Sequence, residues 1–137
     1  LYTRIVLWEN SADLIKENFF LGVGTGDVKD ELMVKVKQGE HTDKITDIGF
    51  NCHNQYLETF TAFGISGILM LLFIMLYPLK MLKSPNRFLY FGFITVIGIN
   101  FIPESMLNTI AGVMFFSFFL NFFVFLFSEE NPSVKES

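Results

Sequence analysis

The chain has 137 residues, 51% of them hydrophobic and 18 of them Phe, with a mean hydropathy of +0.44. That is the length of one domain at an apolar content too high for an ordinary soluble one, which points to a membrane. Residues 1–61 hold six Lys/Arg against ten Asp/Glu, a net of −4, and residues 62–137 hold four of each. An acidic half beside a neutral one excludes nucleic acid as a partner, and the lone Cys52 excludes an internal disulfide.

The first residues lack the basic and apolar regions of a signal peptide. The expectation is therefore a C-terminal piece whose partner is an N-terminal transmembrane part of the same chain. Leu1, Ile5, Trp8, Ala12 and Ile15 recur at spacings of four and three, which predicts an amphipathic helix ending near Asn18. FFLGVGTGD follows, with three glycines in five residues, a turn that needs positive φ or a close backbone approach. Asp27 can cap a short helix over VKDELMVKVK, and GEHTDKITDIGFN reads as a loop. A third helix is expected from about Asn51, with Tyr56, Phe60 and Phe63 on its apolar side.

Ala62 to Leu79, Phe88 to Pro103 and Thr109 to Phe127 each lack charged side chains, and each approaches the roughly 20 residues a helix needs to cross a bilayer. The expected fold is all-α: a helical loop domain over 1–61, three transmembrane helices over 62–127 (62–79, 88–103, 109–127), and a tail over 128–137. Lys80, Lys83 and Arg87 in KMLKSPNR mark the first connection as cytoplasmic. Residues 1–61 then lie on the outer face of the membrane and the tail in the cytoplasm.

Several residue types invite a chemical reading. GVGTG resembles a phosphate-cradling loop only superficially, since no Lys-Ser/Thr follows; a tight turn or a concavity of N–H groups for an anion are the remaining readings. Cys52 and His53 are adjacent and point about 100° apart on a helix, which disfavours a Cys-His nucleophile pair. His41, Asp43, Asp47 and His53 match no standard metal spacing, so neither a metal nor a cofactor is expected. His53 can accept a proton from a hydroxyl near neutral pH, or merely cap a helix. Arg4 offers a planar fork of donors suited to a diphosphate, or a solvated helix face. Asn54, Gln55, Tyr56 and Glu58 could bind sugar hydroxyls, as any polar set at a membrane surface could. Glu104, between two spans, is of a kind that faces protein or a water-filled cavity rather than lipid.

Three stretches carry a resemblance: RIVLWENSADLIKENFFLGVGTG at 4–26, HNQYLETFTAFGISG at 53–67 and ESMLNTIAGVMFF at 104–116. Together they resemble the C-terminal part of the O-antigen ligase and polymerase (Wzy-type) family of bacterial envelope proteins. Phe19 and Phe20 stand where members often have Pro and Leu before the Gly-x-Gly turn. The resemblance implies transfer of a glycan from undecaprenyl diphosphate to an acceptor hydroxyl on the periplasmic side, without a metal. The acceptor would be lipid A core, a second glycan unit or, in protein-glycosylating relatives, a Ser or Thr. It further implies that His53 is the base and Arg4 the diphosphate clamp. A rival reading from another class is a transporter subunit or scaffold, although the expected spans hold no ionisable group, only Asn100 and Asn121 as strongly polar residues.

Overall fold

The computed structural model describes residues 2–38, 51–82 and 86–130. The turn-rich loop with His41, Asp43 and Asp47, residues 83–85 of the basic connection and most of the tail lie outside the described residues. Elsewhere the chain is helical: α1 (Tyr2–Glu17), α2 (Val28–Gln38), α3 (Gln55–Met81), α4 (Asn86–Asn100), a 3-10 turn (Met106–Asn108) and α5 (Ile110–Glu130). No strand occurs among the described residues. The chain divides into two compact units, one of Leu1–Met70 with Phe101–Ser105, the other of Leu71–Asn100 with Met106–Ser137.

In the first unit α1 and α2 bury Val6, Leu7, Leu14, Leu32 and Val36 together with Cys52, and Leu57 packs against them. Burying a Leu of this kind stabilises by about 1.5–3 kcal/mol. The α2 stripe Val28, Leu32 and Val36 follows the helical period, with Asp30 and Glu31 in the first turn and Lys35 and Lys37 in the last, as the helix dipole favours. On α1 the buried set differs from the expected one. Ile5 is exposed, whereas Val6, Leu7, Ser11 and Leu14 face inward. A second apolar set competes on this helix. The buried face can accept Ser11 because its hydroxyl bonds the Leu7 carbonyl at 2.7 Å and the Cys52 sulfur at 2.9 Å.

The glycine turn and α3 hold one another. At Gly64 (φ 64°, ψ −157°) the helix kinks, freeing carbonyls one turn back. The N–H groups of Val23 and Gly24 donate to Thr61 and Ala62 carbonyls at 2.8 and 3.0 Å, and the Ile65 N–H donates to the Phe19 carbonyl at 2.8 Å. Every group freed by the kink that these bonds touch is thereby repaired. A side chain at Gly22 would strike the Ala62 carbonyl, and one at Gly64 the Phe20 carbonyl. Gly22, Val23 and Gly24 already spend their N–H groups on the Asn18, Thr61 and Ala62 carbonyls, so none of those three is left for an anion.

The second unit buries Leu71 and Met75 of α3, Tyr90, Ile94 and Ile97 of α4, and Phe116 and Phe123 of α5. Tyr90 stacks edge-on to Phe123 at 5.1 Å, and Phe93 meets Phe119 and Phe123 at 5.4 and 5.6 Å. Pro78 inside α3 has no N–H for its own helix; near it, the Tyr90 hydroxyl donates to the Met75 carbonyl at 2.7 Å. Thr109 caps α5, accepting the Gly112 N–H on its hydroxyl at 3.1 Å.

Of these helices α3, with 27 residues and a mean hydropathy of 2.2 in its most apolar stretch, is long and apolar enough to cross a membrane. α4, at 15 residues, spans only about 22 Å, and the apolar stretch of α5, Ile110–Phe125, only about 24 Å, both short of a hydrocarbon core of about 30 Å. Large apolar side chains are nonetheless exposed along all three, including Phe73, Phe88, Phe91, Phe118 and Phe125. Polar side chains on them bond their own helix: Thr95 to the Phe91 carbonyl, Asn100 to Val96 and Asn121 to Ser117. Such self-satisfaction is what a hydrocarbon solvent demands.

Candidate functional site

The segment Asn51–Gln55 enters α3 and is tied down from three sides. From α1, the Trp8 indole donates to the Cys52 carbonyl at 2.7 Å, and Ser11 reaches the Cys52 sulfur. From α3 itself, the Glu58 carboxylate accepts the Cys52 N–H at 3.4 Å. From residues 101–105, the Phe101 carbonyl accepts the Gln55 N–H at 2.8 Å and the Ser105 hydroxyl accepts the Asn54 N–H at 3.1 Å. Asn54 caps α3, its side-chain oxygen taking the Leu57 N–H at 3.1 Å and its carbonyl the Glu58 N–H at 3.0 Å.

Inside this frame His53 adopts φ 46°, a left-handed conformation rare for a residue with a Cβ, and its N–H donates to the Asn51 side chain at 3.0 Å. Strain of this kind persists only where the surroundings over-determine it. The imidazole is about one-third exposed, and its Nδ1 faces Glu104 Oε1 at 3.7 Å. That atom is inaccessible to solvent and has no hydrogen-bond partner among the described residues. Residues 51 positions apart are thus brought together by the bonds that pin 101–105 to the head of α3.

The expected substrate-binding residues separate into two kinds. Asn54, Gln55 and Glu58 are buried and bonded within the chain, Gln55 to the Thr59 hydroxyl and the others as described. Tyr56 is half-buried, edge-on to Phe101 at 5.9 Å, and Glu104 is exposed. Arg4 is exposed on α1 and forms no ion pair among the described residues. It lies four residues before Trp8 and seven before Ser11, on the face whose side chains reach the Cys52 segment. Burial raises the Cys52 thiol to about 12, with the Glu58 carboxylate adding to the effect against the Ser11 hydrogen bond. A thiol so held is buried and poorly ionised, which further disfavours a Cys-His nucleophile pair. Of the four metal-ligand candidates only His53 falls among the described residues.

Reading the sequence missed Trp8, Ser11, Phe101 and Ser105 as the frame of this site. Ser11 carried a signal: a small polar residue one turn beyond Leu7, where only a bonded hydroxyl can be buried.

Comparison with curated proteins and with solved structures gives no match. A family model described as O-antigen ligase matches residues 2–72, which contain α1, the glycine turn, the His53 segment and α3 past its kink. Matched over half its length, the chain belongs to the membrane-associated O-antigen ligase family.

Proposed function

We propose that this chain is the catalytic end of a glycosyltransferase that moves a glycan from undecaprenyl diphosphate to an acceptor hydroxyl at the periplasmic surface of a bacterial inner membrane, without a metal ion. The observation that carries the reading is His53, pinned in a strained backbone with its Nδ1 opposite Glu104. In the proposed reaction the acceptor oxygen attacks the anomeric carbon as its proton passes to His53 Nε2. The bond from that carbon to the diphosphate oxygen breaks, and its electron pair leaves on the lipid diphosphate. Glu104, on the far side of the ring, attracts the imidazolium that results. Arg4, on the α1 face that also carries Trp8, meets the charge developing on the diphosphate. Tyr56 and Glu104 are proposed to bind sugar, while Asn54, Gln55 and Glu58 hold the loop. α3, α4 and α5 are proposed as the three spans, with residues 1–61 periplasmic and the tail cytoplasmic.

The test reconstitutes the full-length protein with undecaprenyl-diphosphate glycan in EDTA and supplies lipid A core, a glycan repeat or a Ser/Thr peptide as acceptor. Wild type should release lipid diphosphate with transfer to one of them, and His53→Ala should lose about 10²–10⁴-fold, the usual worth of a positioned base. No turnover with any acceptor, or turnover abolished by EDTA, sinks this reading. A scaffold or transporter role predicts instead that His53→Ala alters abundance and not turnover.

A further inference from the structure

At the opposite end of α3 from His53, Leu79, Arg87, Phe88 and Phe91 line a groove of about 360 Å³. Three walls are apolar, and two of them, Phe88 and Phe91, are strongly exposed. The fourth is a guanidinium. Its Nε donates to the Leu82 carbonyl at 2.9 Å, which fixes the plane of the fork, and the group has no ion pair among the described residues. Exposed Lys80 adds positive charge at the end of α3, and no carboxylate occurs in the sequence between Glu58 and Glu104.

We propose that this groove binds an anionic phospholipid, with the phosphate on Arg87 and acyl chains along Leu79, Phe88 and Phe91. The argument is complementarity. A free phosphate would gain nothing from exposed phenylalanines, and a zwitterionic lipid would bring its own cation to an uncompensated arginine. The site rests on the reading of α3 and α4 as membrane helices and is independent of the transfer chemistry. Its charge also provides a physical basis for placing this connection on the cytoplasmic side.

The experiment purifies the full-length protein in mild detergent, adds equal phosphatidylglycerol and phosphatidylcholine, and counts retained lipid by native mass spectrometry. Wild type should retain phosphatidylglycerol over phosphatidylcholine by about fivefold, the usual worth of one basic residue near an anionic headgroup. Arg87→Gln should bring the ratio toward one, and Arg87→Lys should preserve most of it. Phe88→Ala, at a position too exposed to disturb folding, should lower retention of both lipids. Excess glycerol 3-phosphate should displace neither. An unchanged ratio in Arg87→Gln, an equal ratio in wild type, or displacement by glycerol 3-phosphate overturns the proposal. Release of the protein from membranes by alkaline carbonate would sink the membrane reading itself, an outcome distinct from retention without selectivity.

Discussion

His53 costs the fold something by sitting where it does. A side chain at φ 46° is about 1–2 kcal/mol less favourable than glycine there, which has no Cβ to clash. His53→Gly should therefore raise stability by about 1 kcal/mol while abolishing transfer, as read by thermal denaturation beside a turnover assay. A loss of stability would mean that the imidazole is held for the fold. Cys52 makes a second residue-scale prediction. Burial pushes its thiol up from the ordinary 9.0 to about 12 when folded, so the folded state keeps a proton that the unfolded state releases between those values. The contribution of this group is fully present below pH 9 and declines as pH rises from 9 toward 12. At pH 8 a maleimide should leave Cys52 unmodified in folded protein and label it on denaturation. Rapid labelling of the native protein would contradict its burial.

Among the elements, the kink of α3 and the glycine turn depend on each other. Gly64→Ala must place a methyl group in the left-handed region and into the Phe20 carbonyl, both of them backbone constraints that no rotamer change relieves. The expected cost is about 3 kcal/mol or more, with faster hydrogen exchange at Val23 and Gly24 as their bonds to Thr61 and Ala62 open. Gly26, where an added methyl meets nothing, serves as the control, and Gly26→Ala should leave exchange unchanged. An equal effect at both positions would refute the clasp. The α1 register teaches a related point. Two apolar sets on one helix satisfy the same period, and the inward one is chosen by what it meets, here Cys52 and the α2 stripe.

For the whole molecule the question is orientation. Exposed Phe side chains on α3, α4 and α5, with polar groups bonded to their own helices, are the features on which the proposal of three spans rests. With Cys52 replaced by Ser, Lys29→Cys should react with an impermeant thiol reagent from the periplasmic side, and Lys80→Cys only once the cytoplasmic side is opened. The reverse pattern would invert the proposed topology. Both lysines are exposed, so burial does not confuse the readout.

Local information in the sequence determined much of this. The helical class, the places of α1 and α2, the apolar run of α3 and the turn at GVGTG all follow from periodicity and glycine chemistry acting over a few residues. The family resemblance was legible for the same reason, since its motifs are contiguous. Boundaries shifted for a local and for a distant reason: α3 begins at Gln55 because the neighbouring Asn54 caps it, and α4 stops at Asn100, next to Phe101, whose carbonyl takes the Gln55 N–H. Only the tertiary structure decided which face of α1 is buried, that Asn54, Gln55 and Glu58 turn inward, and that His53 meets Glu104. Those outcomes depend on groups far apart in the chain, and no local period encodes which partner a side chain will find.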